Sequence, residues 1–262
     1  MSHSMEQAIK GKVFESVVPR ATKLFREHGF KGLGLAAMEA MRVEPKFVRE
    51  ADPLLKEDRH RLNTEPGLII ANHPGSYDAF TILSVLERND VKIVVAKKVF
   101  EKMSPIIGQE PLISVDDKGV ASLRKLFHEV EAHIESGGVV ILFPSGGNDH
   151  RDGFKFEQGF GRMMLPALRP TDMVYAFQFD ALQMQMARQG RLMSKHLDIA
   201  SAFVLPNLTK RIHQLPGLSA KPFEVNERYT EAAEWQQIPA KDVVAMTDHF
   251  KSLFPGARFD KL

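Results

Sequence analysis

Cysteine is absent from this chain of 262 residues. Without a thiol the protein can form no disulfide bond, no cysteine-based zinc site and no acyl-cysteine intermediate. An excess of either charge is also missing, since the formal net charge is only +2 at pH 7. No run of lysine and arginine with interleaved aromatic residues occurs, so nucleic acid is not expected as a partner. A cytoplasmic location is the natural expectation.

Long apolar runs are missing as well. The best of them, residues 67–71, 139–143 and 200–205, have the length of a strand, whereas a membrane-spanning helix requires about 18–20 apolar residues. Residues 1–12 carry charge and lack the apolar core of a secretory signal. Contact with a membrane is therefore expected to be peripheral.

What the chain does contain is a change of pattern near residue 62. Before it, apolar residues recur at helical spacing, and after it short apolar runs alternate with amphipathic stretches. We therefore predict an N-terminal helical region over residues 1–62 and an α/β domain over residues 63–262. The helical region could be a layer packed on the main domain, or an appendage that docks on a membrane or covers the substrate. Three prolines are expected to break its pattern: Pro19, Pro45 and Pro53.

The second region alternates between strands and helices. Continuous apolar runs predict buried strands, and apolar stripes with steps of three and four residues predict helices. This alternation indicates an α/β fold with a mostly parallel central sheet flanked by helices. The predicted strands are residues 67–71, 91–96, 112–115, 139–143, 173–179, 198–205 and 222–228, and the predicted helices are residues 79–86, 120–136 and 239–253.

A histidine and an aspartate follow the first of these strands, in the segment Asn72-His-Pro-Gly-Ser-Tyr-Asp78. On a regular helix the step from His73 to Asp78 would rotate the two side chains about 140° apart. Pro74 and Gly75 instead predict a turn at His73, with Asp78 in the first helical turn, from where its carboxylate reaches one imidazole nitrogen. The other nitrogen would face the carboxyl edge of the sheet, where open α/β sheets bind ligands. Such an imidazole is suited to be a general base, although a turn histidine and a helix-capping aspartate would explain the spacing alone.

A second segment, Phe143-Pro-Ser-Gly-Gly, ends another predicted strand. The small residues Ser145, Gly146 and Gly147 let backbone amides and a hydroxyl approach a ligand oxygen closely, as in a phosphate site or an oxyanion hole. A tight turn is the alternative interpretation. A serine-hydrolase elbow is not indicated, because the residue two places before the serine is Phe143 and not glycine.

Together these segments resemble the glycerolipid acyltransferase superfamily, which includes the glycerol-phosphate and lysophosphatidate acyltransferases. The family's first block, Asn-His-x4-Asp after a strand, matches residues 72–78. Its second block, an Ala-Lys stretch that runs to Pro, Gly and a short strand, matches residues 96–115. Its third block is usually Phe-Pro-Glu-Gly. The variant at residues 143–147 is closest to the soluble plastid-type glycerol-3-phosphate acyltransferases, which carry Pro-Ser-Gly-Gly-Arg-Asp-Arg.

The resemblance implies an O-acyltransferase. Such an enzyme moves a fatty acyl group from an acyl-CoA or acyl-ACP thioester to a hydroxyl of glycerol 3-phosphate or a lysophospholipid. In this chain His73 would be the base and Asp78 the residue that orients it. The acyl carrier protein or CoA thioester would be a substrate, so neither a metal nor a bound cofactor is implied.

The phosphate-binding arginines of the family are missing here. Those of the plastid-type enzymes would fall at Asn148 and His150, and that of the commoner branch at Asp117. Lys118 matches a phosphate-binding lysine of the plastid-type pattern, and Arg151 lies one place beyond a lost arginine. Because lysine or asparagine does not replace a bidentate arginine, the acceptor could be glycerol 3-phosphate or a lysophospholipid, or instead a non-phosphorylated alcohol or amine.

Two alternatives remain: a catalytically inactive lipid-binding homologue, and a thioesterase-like hydrolase that uses water as the acceptor. If the chain is an enzyme, the resemblance places a set of candidate substrate-binding residues around the predicted base. These are Ser76, Lys97, Lys118, Ser145, Gly146, Gly147, Asn148, His150 and Arg151.

Overall fold

The computed structural model describes nine segments of the chain: residues 3–41, 43–48, 52–74, 77–115, 120–145, 173–179, 221–230, 237–239 and 242–254. The helices are α1 (His3–Met41), α2 (Pro53–Thr64), α3 (Tyr77–Val85), α4 (Lys97–Ile107), α5 (Val120–Glu135) and α6 (Val243–Ser252). The strands are β1 (Val43–Phe47), β2 (Gly67–Ala71), β3 (Val91–Ala96), β4 (Leu112–Val115), β5 (Val139–Leu142), β6 (Met173–Phe179) and β7 (Lys221–Thr230).

The strands form one sheet in the order β1-β7-β6-β2-β5-β3-β4. From β6 to β4 every neighbouring pair is parallel, whereas β7 is antiparallel to β6 and parallel to β1. The predicted α/β fold with a mostly parallel sheet is therefore confirmed. All five residues of β2 are buried, as expected for a central strand covered by helices on both faces.

Two apolar cores separate the sheet from its helices. Because side chains alternate along a strand, Ile69 and Ile141 lie in one core and their neighbours Leu68 and Val140 in the other. The first core also contains residues of α1 to α4, and the second contains residues of α5 and α6. The described part of the molecule is therefore a three-layer sandwich.

The structure departs from the sequence prediction before residue 62. Residues 43–47 form β1, an edge strand that was predicted to be part of a helical region. Proline is tolerated at a sheet edge, where its missing N–H breaks no ladder, so Pro45 does not prevent a strand. The predicted boundary between residues 62 and 63 stays a prediction, and the predicted strand over residues 198–205 lies outside the described residues.

The first helix breaks at a glycine and not at a proline. Pro19 lies inside α1, whereas Gly29 has φ of 62° and interrupts the helical conformation. That left-handed backbone costs a residue with a Cβ considerable strain, which glycine avoids. The kink divides α1 into two helical parts, and both contribute to the first core: Ala21 from the part before Gly29, and residues 30–38 from the part after it.

Candidate active site

The site lies at the carboxyl edge of β2, β5 and β6, which are neighbours in the sheet. Asn72, the residue after β2, is buried, and its carboxamide makes the hydrogen bonds to a neighbouring strand that a backbone amide would make. Its amide group donates to the Phe179 carbonyl at 2.9 Å, and its oxygen accepts from the Phe179 N–H at 2.7 Å. This pair of bonds ties the end of β2 to the end of β6 and fixes the backbone immediately before His73.

His73 and Asp78 meet as the motif predicts. The distance from His73 Nδ1 to Asp78 Oδ2 is 2.7 Å, and the other carboxylate oxygen accepts from the Ala79 N–H at 2.7 Å. Asp78 has no exposed side-chain surface, whereas 25% of the His73 side chain remains accessible. Because a carboxylate is acceptor-only, the proton of the neutral ring belongs on Nδ1 and the lone pair on Nε2. That tautomer is the one a general base needs.

The ring of Phe143, a residue with no separate role predicted from the sequence, lies against His73. The two ring centroids are 4.4 Å apart and the planes are inclined by 33°. Phe143 follows directly on β5, so the third motif brings an aromatic ring to the imidazole as well as the small residues behind it. The position of Phe143 in that motif is the one sequence signal that could have indicated this contact.

Two of the predicted substrate-binding residues fall on described parts of the chain. Ser145 is buried just beyond the end of β5. Lys97 begins α4 directly after β3 and is exposed at the same edge of the sheet as His73. The other predicted residues lie outside the described residues: Ser76, Lys118, Gly146, Gly147, Asn148, His150 and Arg151.

Part of the chain matches the model of a known protein family. Residues 54–177, which contain all three motifs, match the family model described as Acyltransferase. This part of the chain belongs to the acyltransferase family. The predicted enzyme class and the resemblance to the glycerolipid acyltransferases are thereby confirmed. The match spans helix α2 to the centre of β6, which includes His73, Asp78 and Phe143.

The chain was also compared with solved structures and with curated proteins. A similar solved structure is that of the 1-acyl-sn-glycerophosphate (LPA) acyltransferase PlsC from Thermotoga maritima, with a TM-score of 0.45 and 10% sequence identity over 88% of this chain and 84% of that chain. Comparison with curated proteins finds no match. Among the described helices of the acyltransferase, none combines the length and the apolar character needed to cross a bilayer.

Proposed function

We propose that His73 is the general base of an O-acyl transfer and that Asp78 orients it. The observation that carries the proposal is the 2.7 Å contact between His73 Nδ1 and a carboxylate with no solvent exposure. The contact uses Nδ1 and directs the Nε2 lone pair away from Asp78. Nε2 is the nitrogen proposed to take the proton of the substrate hydroxyl.

The reaction proceeds by direct attack. Nε2 of His73 removes the proton of the acceptor hydroxyl while its oxygen forms a bond to the thioester carbonyl carbon. The resulting tetrahedral intermediate collapses by breaking the C–S bond, and the imidazolium returns the proton to the leaving thiolate. The products are an ester and a free thiol. Asp78 stabilises the imidazolium between the two proton transfers, the role a buried aspartate has in serine-hydrolase triads.

The acceptor in this proposal is glycerol 3-phosphate or a lysophospholipid, and the donor is acyl-CoA or an acyl carrier protein thioester. Lys118 and Arg151 would bind the acceptor phosphate, and Ser145 to Gly147 would hold the acceptor or the oxyanion. On the donor side, Lys97 is an exposed cation at the same edge of the sheet as His73, and both candidate donors are anionic. The proposed setting is the cytoplasm, with peripheral contact to membrane lipid.

Replacement of the proposed base provides the test. Purified His73→Ala protein is incubated with an acyl thioester and either glycerol 3-phosphate, a lysophospholipid or a neutral long-chain alcohol, and the products are identified by mass spectrometry. We expect kcat to fall by about 10²- to 10⁴-fold, while His128→Ala, which removes a solvent-exposed histidine on α5, keeps the full rate.

The acceptor panel separates the alternatives. Ester formation on the phosphorylated acceptors supports the proposal, and ester formation on the neutral alcohol alone replaces the acceptor class. Thioester loss that does not respond to any acceptor indicates a hydrolase. Turnover that survives in His73→Ala removes His73 from the chemistry altogether.

A further inference from the structure

The stacked Phe143 ring is a feature of the site that the proposed proton transfers do not use. At a centroid distance of 4.4 Å and an inclination of 33°, the two rings are closer to stacked than to edge-on. Phe143 is half-buried and packs against the first core, so its ring is supported from behind. The face of the phenyl ring is thereby held towards the imidazole.

An aromatic face next to an imidazole favours one protonation state of that imidazole over the other. The face of an aromatic ring carries partial negative charge, which attracts a cation placed over it. Neutral imidazole gains little from this field, whereas imidazolium gains more. Imidazolium is the form that exists while the acceptor hydroxyl has lost its proton. An interaction that strengthens only at that stage raises kcat rather than substrate affinity.

We propose that Phe143 is a positioning residue that stabilises the imidazolium form of His73 and holds its ring in the plane where Nδ1 faces Asp78. The inference rests on the proposed function, because it matters to turnover only if His73 accepts a proton. Asp78 on α3 contacts the ring with a negative charge, while β5 brings the uncharged Phe143 and Ser145 to the same edge and β2 brings the uncharged Asn72. Phe143 therefore supplements the carboxylate from a second direction.

A fluorine series at position 143 tests the electrostatic part without changing the fold. Phenylalanine with one, two, three or four ring fluorines is incorporated at position 143, which weakens the negative face stepwise at nearly constant shape. The same residues at Phe30, which is buried in the first core, serve as the matched control. Phe143→Leu removes the ring, and Phe143→Tyr retains it.

Two measurements are made on each variant: kcat and KM for acyl transfer, and the His73 titration followed by NMR in the resting protein. We expect the midpoint of the titration to fall steadily with fluorine number, by up to about one pH unit. We expect kcat to fall by up to about tenfold across the series with KM unchanged, because one pH unit of lost imidazolium stabilisation corresponds to about tenfold. Phe143→Leu should resemble the most fluorinated variant, and Phe143→Tyr should resemble the natural protein.

The outcomes divide cleanly. The inference is overturned if neither the titration midpoint of His73 nor kcat changes with the number of fluorines. It is also overturned if the Phe30 series changes both quantities by the same amount. Loss of activity in Phe143→Leu that follows its melting temperature, without movement of the titration, also overturns it, since Phe143 would then be a packing residue only. If the natural protein transfers no acyl group but the titration still follows fluorine number, the ring interaction stands and the proposed function fails.

Discussion

At the scale of single residues, the site depends on a carboxylate that is completely withdrawn from water. Asp78 uses one oxygen for His73 and the other for the Ala79 N–H. A buried carboxylate with both oxygens in hydrogen bonds can have a fixed orientation, since a rotation would break two bonds at once. The hydrogen bond from Nδ1 to this fixed carboxylate also fixes the orientation of the imidazole ring. The fold therefore determines the tautomer of His73 before any substrate binds.

Replacing Asp78 by asparagine should therefore reverse the tautomer. The asparagine amide can donate to Nδ1, which leaves the proton on Nε2, where a base needs a lone pair. We expect kcat for acyl transfer in Asp78→Asn to fall by about 10⁴-fold, as in triads that lose this carboxylate, with KM nearly unchanged. Steady-state kinetics measure the effect. Asp248→Asn, at an exposed position of α6, is the control, and a kcat for Asp78→Asn within a few-fold of that control would contradict the mechanism.

The pairing of His73 with Asp78 could be predicted because the two residues are close in sequence, His73 just after β2 and Asp78 in the first turn of α3. The contacts that support the pair could not. Asn72 binds the backbone of Phe179, 107 positions away, and Phe143 reaches His73 only because β5 is the neighbour of β2. Contacts of that kind depend on strand order, and a single sequence does not contain strand order in readable form.

At the scale of elements, the helix that carries Asp78 is held in place by a close approach of α1. Gly34 of α1 lies against the backbone of α3: a Cβ at this position would be 2.4 Å from the Ser84 nitrogen and 2.7 Å from the Phe80 oxygen. Both distances are far below van der Waals contact, and both atoms belong to a backbone that cannot rotate away. The absence of a side chain at residue 34 is thus a condition for the position of α3.

Gly34→Ala should separate the two helices. We expect the free energy of unfolding to fall by about 1–3 kcal/mol, the usual effect of overfilling a packed contact, together with a lower kcat because α3 carries Asp78. Urea unfolding and steady-state kinetics measure the two effects. The matched control is Leu35→Ala, which also creates an alanine but at a position with 53% exposure. Equal unfolding midpoints for the two variants would show that the contact is not tight.

The strands of the parallel part of the sheet, β6 to β4, could be predicted from the sequence. The end of the sheet formed by β1 and β7 was harder to predict. Strands such as β2 and β5 are continuous apolar runs because both faces are buried, and that leaves a clear signal. In contrast, β1 is a short edge strand with a proline and charged residues. An ion pair supports this end: Arg59 of α2 contacts the buried Glu227 of β7 at 2.8 Å and lies over the ring of Phe47 in β1. Arg59 and Glu227 are 168 positions apart, so no local pattern in the sequence indicates this ion pair.

At the scale of the whole molecule, the two edges of the sheet have different tasks. The carboxyl edge holds His73 and Asp78, and the amino edge holds a network around Arg88. This buried guanidinium donates to the carboxylate of Asp90 and to the carbonyls of Leu62, Glu65 and Gly137. These acceptors lie just before β2, β3 and β5, or at the end of α2, so one side chain joins the starts of three neighbouring strands. Its hydrogen bond also holds the pKa of Asp90 below the usual value.

A histidine at this amino edge predicts a dependence of stability on pH that is separate from the proposed role of His73. His133 of α5 contacts the Asp90 carbonyl through Nε2 at 3.0 Å. Burial lowers its pKa from the ordinary value of 6.5, and the hydrogen bond to Asp90 opposes that shift only in part. Nothing in the sequence distinguishes it from His128 on the same helix, which is exposed.

The sign of the effect follows from this lowered pKa. Between the pKa of His133 in the folded state and 6.5, the unfolded chain binds more protons than the folded chain. The free energy of unfolding contributed by His133 is therefore complete above pH 6.5 and is lost as the pH falls through the folded pKa. His133→Gln keeps a neutral donor for the Asp90 carbonyl but cannot be protonated. Urea unfolding between pH 7.5 and 5 should accordingly show a weaker decline for this variant than for the natural protein. His128→Gln, at an exposed histidine, should show the same loss of stability at low pH as the natural protein. Parallel curves of stability against pH for His133→Gln and the natural protein would contradict the role assigned to His133.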